Sequence, residues 1–249
     1  MDFGLKNKTA LVLGGSRGLG AASAMLLAAE GAHVIAASRS GDAAADGITG
    51  MKLDLSDSKS VQEMIDWLAD NPVDILINNC GGPSAGSAKG QSTAAWQAAF
   101  ETMATPLFAL TDAAIAGMAT RGWGRVVTIG SSGVVQPIPN LALSNGVRGA
   151  IAGWSKTLAE EVAGHGITVN MVLPGRIATD RLAQLDGLKA EKSGASVDSV
   201  QEASRKTIPA GRYGKPEEFG AVVTFLCSQQ AAYVTGSMIR VDGGMIRGL

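Results

Sequence analysis

Thiols and imidazoles are scarce in this chain. It has two cysteines, Cys80 and Cys227, and two histidines, His33 and His165, in 249 residues. That excludes a disulfide framework and a four-thiolate metal centre. Two histidines cannot by themselves build an ordinary zinc site, so no metal is expected. With so few thiols, a reducing, cytoplasmic setting is expected. An excess of one charge is also missing: 21 Lys and Arg stand against 22 Asp and Glu, a formal net charge of −1. A broad nucleic-acid surface needs clustered positive charge to displace counterions, so no nucleic-acid partner is expected. No apolar run is read as reaching the ~20 residues that span a bilayer, so no membrane partner is expected either. The first eight residues are mixed polar, unlike a secretion signal. Aromatics are only 4%, which argues against a stacking platform for substrate. What remains is 46% hydrophobic and 17% charged, a globular composition of a length that suits one α/β domain.

Short apolar runs alternate with amphipathic stretches. The runs fall at residues 9–13, 33–37, 51–53, 74–77, 125–129, 167–173 and 238–241. Between them, residues 19–30 read as a helix ending at Gly31. Val147, Ile151, Trp154, Leu158 and Val162 share one face of another, expected over 146–164. Such alternation implies right-handed crossovers and a parallel sheet covered on both faces. No linker divides the chain, so residues 1–249 read as a single domain. The polar stretch 180–208 is either a long surface loop with helical pieces or a substrate lid.

The turn Gly14-Gly15-Ser16-Arg17-Gly18-Leu19-Gly20 follows the first strand and opens the first helix. Glycines allow close backbone approach to a pyrophosphate, and a helix N-terminus offers unpaired N–H groups. Glycine at a tight strand–helix turn also has a purely steric explanation. The second strand ends Ala37-Ser38-Arg39-Ser40, with no carboxylate to bind a ribose 2′-hydroxyl. Arg17, Ser38 and Arg39 suit a 2′-phosphate. The plainer reading is that the two arginines are ordinary surface residues.

The glycine turn resembles the cofactor turn of the short-chain dehydrogenase/reductases. Asn78-Asn79-Cys80-Gly81 is similar to that family's N-N-A-G motif, and Pro174-Gly175-Arg176-Ile177-Ala178-Thr179 to its P-G-x-I-x-T segment. The stretches 211–218 and 234–244 resemble its C-terminal third. The nearest likeness is to 3-oxoacyl-carrier-protein reductases. This resemblance implies one doubly wound Rossmann-type domain with strand order 3-2-1-4-5-6-7, an NADP(H) or NAD(H) cofactor and a homotetramer. It carries cofactor contacts onto Gly14, Ser16, Arg17, Gly18, Leu19, Gly20, Ser38, Arg39, Asp54, Leu55, Asn79, Cys80, Gly81, Arg148, Pro174, Gly175, Ile177 and Thr179. Cys80 is expected to line only the adenosine-ribose side of the cleft, because no base stands ready to activate its thiol.

The catalytic pattern departs from the family. The family works with Asn, Ser, Tyr and Lys. Ser131 keeps the serine position, but Ser144 stands where the Tyr is expected, Arg148 where the Lys is, and Met103 where the Asn is. Arg148 stays charged, so it can stabilise an alkoxide but not donate the proton. Ser144 is far less acidic than a phenol with its pKa of ~10, and a water beside it could span the vacated volume. Tyr213 and Tyr233 are expected to pack, and His165 to act as a charge at a helix end. Three functions follow: an NADP(H)-dependent carbonyl reductase or alcohol dehydrogenase with an altered proton relay; a cofactor-binding sensor or subunit without turnover; or an epimerase or dehydratase using the cofactor without net change. Val134, Val135, Ile138, Leu141 and Leu143 suggest a small aliphatic or alicyclic substrate, or simply pack their loop.

Overall fold

The computed structural model describes residues 2–248. Its elements run β1 (Thr9–Leu13), α1 (Gly18–Ala29), β2 (His33–Ser38), β3 (Thr49–Lys52), α2 (Ser58–Asp70), β4 (Ile75–Asn78), α3 (Thr93–Met103), α4 (Thr105–Arg121), β5 (Gly124–Ile129), α5 (Ala142–Val162), β6 (Ile167–Pro174), α6 (Asp180–Ser193), α7 (Val197–Lys206), α8 (Pro216–Cys227) and β7 (Met238–Val241). The seven strands are parallel, in the order β3-β2-β1-β4-β5-β6-β7, as the resemblance implied.

Alternate residues of each strand feed opposite faces of the sheet. Leu11, Leu13 and Leu76 join the core under α2, α4 and α5, while Ala10, Val12, Ile75 and Ile77 join the core that Phe219 and Val223 of α8 share with Leu27 of α1. Both faces are covered, so the central strands read as unbroken apolar runs. The order reverses between β1 and β4, which opens a crevice at their carboxyl ends.

Several expectations need correction. The helix expected from residue 146 begins four residues earlier, at Ala142, which puts Ser144 inside its first turn. The third strand lies at 49–52 rather than 51–53, because its place is set by pairing with β2, from Ile35 with Thr49 to Ser38 with Lys52. The stretch Thr93–Arg121 is long enough to span a bilayer and holds an 18-residue window of mean hydropathy 1.2. It is two helices meeting at Ala104, and Met103, Leu107, Leu110 and Met118 pack into the core. The polar stretch after β6 is two helices. Thr179 caps α6, Ser196 caps α7, and Gly194 closes α6 in the left-handed conformation. Each such cap contributes ~1 kcal/mol, enough to order a segment with little apolar surface.

Candidate active site

The glycine turn is shaped by contacts a side chain would break. A Cβ on Gly20 would lie 2.2 Å from the Gly14 carbonyl oxygen, and one on Gly15 would lie 2.8 Å from that of Val12. Gly14 and Gly18 both have positive φ, 59° and 58°. The Asn79 side-chain amide donates to the Gly14 oxygen at 3.3 Å, tying the ends of β1 and β4 together across the crevice. At the head of α1, Arg17 gives no side-chain cap and the first turn holds no acidic residue. Its leading N–H groups therefore face the crevice without a side-chain partner. Arg17 and Arg39 are both exposed, and Ser38 is buried. Hydrogen bonds from Ser56 hold the Asp54 carboxyl below its ordinary range, with Arg39 and Lys52 adding to the effect.

On the other side of the crevice, Ser144 and Arg148 lie one turn apart on α5 and so share a face. The Arg148 guanidinium donates to the Ile129 carbonyl at 3.1 Å and to that of Cys80 at 3.5 Å. It spans the ends of β5 and β4, and among the described residues its guanidinium makes no hydrogen bond to any other oxygen. Ser131 Oγ accepts from the Gly133 N–H at 3.0 Å, capping a short 3-10 turn over Ser132–Val134. Its own O–H is left to donate. The Ser144 hydroxyl makes no hydrogen bond among the described residues. Met103, at the family's Asn position, is buried in the core.

Cys80 lies against Arg148, and burial raises its thiol pKa despite the pull of that charge. Three side chains differ from expectation. Tyr213 does not merely pack, because its hydroxyl donates to Asp186 at 2.7 Å; desolvation and the Asp186 contact raise its pKa. Tyr233 does not pack either and is fully exposed. Asn145 was not foreseen. Its side chain accepts from the Ile138 N–H at 3.3 Å and donates to the Ile138 carbonyl at 2.9 Å, clamping the loop beside Ser131. An Asx side chain next to a chemical position carries no distinguishing sequence signal. Among the described residues, no group of three metal-ligating side chains comes together.

The family model described as enoyl-(acyl carrier protein) reductase matches residues 14–246. The 3-oxoacyl-[acyl-carrier-protein] reductase FabG of Vibrio cholerae is 37% identical over 252 residues, covering 97% of this chain and 98% of that protein. The FabG of Escherichia coli is 36% identical, covering 98% and 99%. The chain belongs to the short-chain dehydrogenase/reductases. Its likeness within them is to the FabG group. Solved structures agree. The L-sorbose reductase of Gluconobacter frateurii, complexed with NADPH and L-sorbose, superposes with a TM-score of 0.90 at 28% identity, covering all of both chains. YwfH, an NADPH-dependent reductase involved in bacilysin biosynthesis, also has a TM-score of 0.90, at 26% identity over 98% of this chain and all of that one. A short-chain dehydrogenase/reductase of this lineage is an oxidoreductase built around a nicotinamide cofactor. The residues of the crevice fit that group: uncapped N–H groups at α1, a backbone with no room for side chains at the glycine turn, Arg17 in that turn and Arg39 at the end of β2.

Proposed function

We propose that this short-chain dehydrogenase/reductase is an NADP(H)-dependent carbonyl reductase or alcohol dehydrogenase acting on a small or aliphatic substrate. The observation that supports it is Arg148 bonded to the carbonyls that end β5 and follow β4, with Ser131 just after β5 and Ser144 one turn before Arg148 on α5. The nicotinamide supplies or accepts the hydride when bound. Ser131 donates its free O–H to the substrate oxygen. Arg148 stabilises negative charge on that oxygen through its permanent charge and its remaining N–H groups. Ser144 is too short and too weakly acidic to deliver the proton, and it holds a water that does so. Cytoplasmic placement and a homotetramer belong to this reading. Relatives named for 3-oxoacyl-carrier-protein and L-sorbose reduction make both carbonyl classes the first to assay.

Arg17, Ser38 and Arg39 select NADPH over NADH. Two charge-assisted contacts, at ~1.5–3 kcal/mol each, give a preference of about tenfold or more. Fluorescence titration measures it, and equal dissociation constants would overturn it. The second reading, a cofactor-binding protein without turnover, is favoured by the missing phenol and by the structural cap Ser131 already provides. NADPH oxidation against a panel of ketones, 3-oxoacyl thioesters and ketoses separates the two. Tight NADPH binding with no consumption on any of them would establish the second.

A further inference from the structure

Segments distant in sequence meet at one buried carboxylate. Asp186 on α6 is 1% exposed. Its Oδ1 accepts from Arg176 Nη1 at 3.2 Å and its Oδ2 from the Tyr213 hydroxyl at 2.7 Å. Ser204 on α7 is buried beside the same phenol. The joint therefore ties α6 and α7 to the loop before α8 and to the segment that leaves β6.

The two helices have little else to hold them. The buried residues of α6 are Asp186 and Ala190, and those of α7 are Val200 and Ser204. A helix pair with so small an apolar face gains little from burial. A buried carboxylate, by contrast, is tolerated only while its partners stay in place. Attachment of this cover therefore depends on the polar joint more than on packing.

Arg176 links the joint to the crevice. It lies in the segment 174–179, where Ile177 bridges to Gly214 and Gly175 is pressed against Asp242. Thr179 ends that segment and caps α6, and its methyl group is the nearest neighbour a side chain on Gly18 of the glycine turn would meet, 3.9 Å from the place of its Cβ. A cavity of about 260 Å³ opens beside it, lined in part by Thr179, Leu182, Gln201 and Tyr213. Cover and joint are thus one continuous set of contacts, and Thr179 brings it up to the glycine turn.

We infer that Asp186 is a positioning residue that couples the α6–α7 cover to the cofactor crevice. With Arg176 and Tyr213 engaged, Thr179 and its segment are held over the glycine turn, and a bound dinucleotide leaves only after the joint parts. The inference rests on the reading that the crevice binds NADP(H).

The test measures NADPH dissociation from the full chain by stopped-flow fluorescence, chasing with excess NADP⁺. Arg176→Met combined with Asp186→Leu replaces the ion pair with an apolar pair and strands no buried charge. Tyr213→Phe keeps the ion pair and removes one hydrogen bond. The double variant is expected to release NADPH about tenfold faster at unchanged Tm, within the usual range for coupled sites. Tyr213→Phe is expected to fall between it and the native chain. A merely structural joint would lower Tm and leave the release rate alone. A release rate within about twofold of native in the folded double variant, or in a folded Tyr213→Phe should the double variant fail to fold, overturns the inference while the cofactor reading stands. A native chain that does not bind NADPH overturns both.

Discussion

Ser131 can serve two masters because a hydroxyl accepts and donates at once. Its oxygen is used by the Gly133 N–H, and its proton is free. Ser131→Ala therefore removes a donor at the reacting oxygen, and kcat should fall by roughly 10² with NADPH affinity nearly intact. Full turnover in that variant would show that Ser131 does not stabilise the reacting oxygen. Arg148 differs, because its guanidinium also bridges the Ile129 and Cys80 carbonyls. Arg148→Ala should lower kcat and cofactor affinity together, and should lower Tm by loosening the ends of β4 and β5. Ser144→Tyr alone should not create a good acid, since no lysine is present to tune the phenol. The places of Ser131, Ser144 and Arg148 in the fold were legible in the sequence by register within a recognisable pattern. The hydrogen bonds of Arg148, and the place of Cys80 beside it, were not. A guanidinium reaches about 6 Å from its Cα, and register alone does not say which carbonyls it finds. Asp186 was hidden for a related reason: in a polar helix, one buried carboxylate looks like any solvated one.

The elements that read most clearly were those with both faces or one full stripe buried, because hydrophobic periodicity reports burial. β1, β4, β5 and β6 and the apolar face of α5 are of this kind. The start of α5 and the identity of the 180–208 stretch were less clear. There the helices are set by caps and by a polar joint, which leave no apolar stripe. α8 shows how such local devices behave. Glu218, in its first turn, accepts from the Lys215 backbone N–H at 2.7 Å and pairs with Arg212 at 2.6 Å. The Arg212 hydrogen bond comes first among the causes that lower the carboxyl from its ordinary 4.5 to about 2. A depressed acid pKa contributes stability above the unfolded value and loses it as pH falls through the folded one. Glu218→Gln should therefore lower Tm slightly at pH 7, and the gap from the native chain should close between pH 4.5 and about 2. The pair is half exposed, so the effect is small and salt-sensitive. Thermal melts across that range check it; a gap constant with pH would show that the pair contributes nothing.

At the scale of the whole molecule, the question is which surfaces remain for another copy of the chain. The apolar residues near the end of the chain, 245–249, suggest association by sequence alone, but they offer it little surface. Ile246 is buried within the monomer, its N–H bonded to Asp242, and Leu249 lies outside the described residues. Two other surfaces carry the case. On one face of the sheet, α5 presents Gly149 and Gly153 with open space where side chains would stand, beside Trp154 stacked on Phe108 of α4 at 4.4 Å. Small residues there let a twofold copy of the helix approach closely. On the other side, α8 and the unpaired edge of β7 expose Phe225 and Met238, with Tyr233 fully exposed between them in sequence. An uncovered edge strand with large apolar residues is ordinarily protected. Two separate self-complementary faces generate a closed tetramer with three twofold axes, and one alone stops at a dimer. Light scattering at micromolar concentration should therefore give four chains per particle. Gly153→Trp should block the first face, and Tyr233→Glu with Met238→Asp the second. Each change alone should leave dimers, and the combination should give monomers with the fold intact by circular dichroism. A native chain that is monomeric would overturn the tetramer. Tetramers that survive either change would show that the contact lies on some other surface.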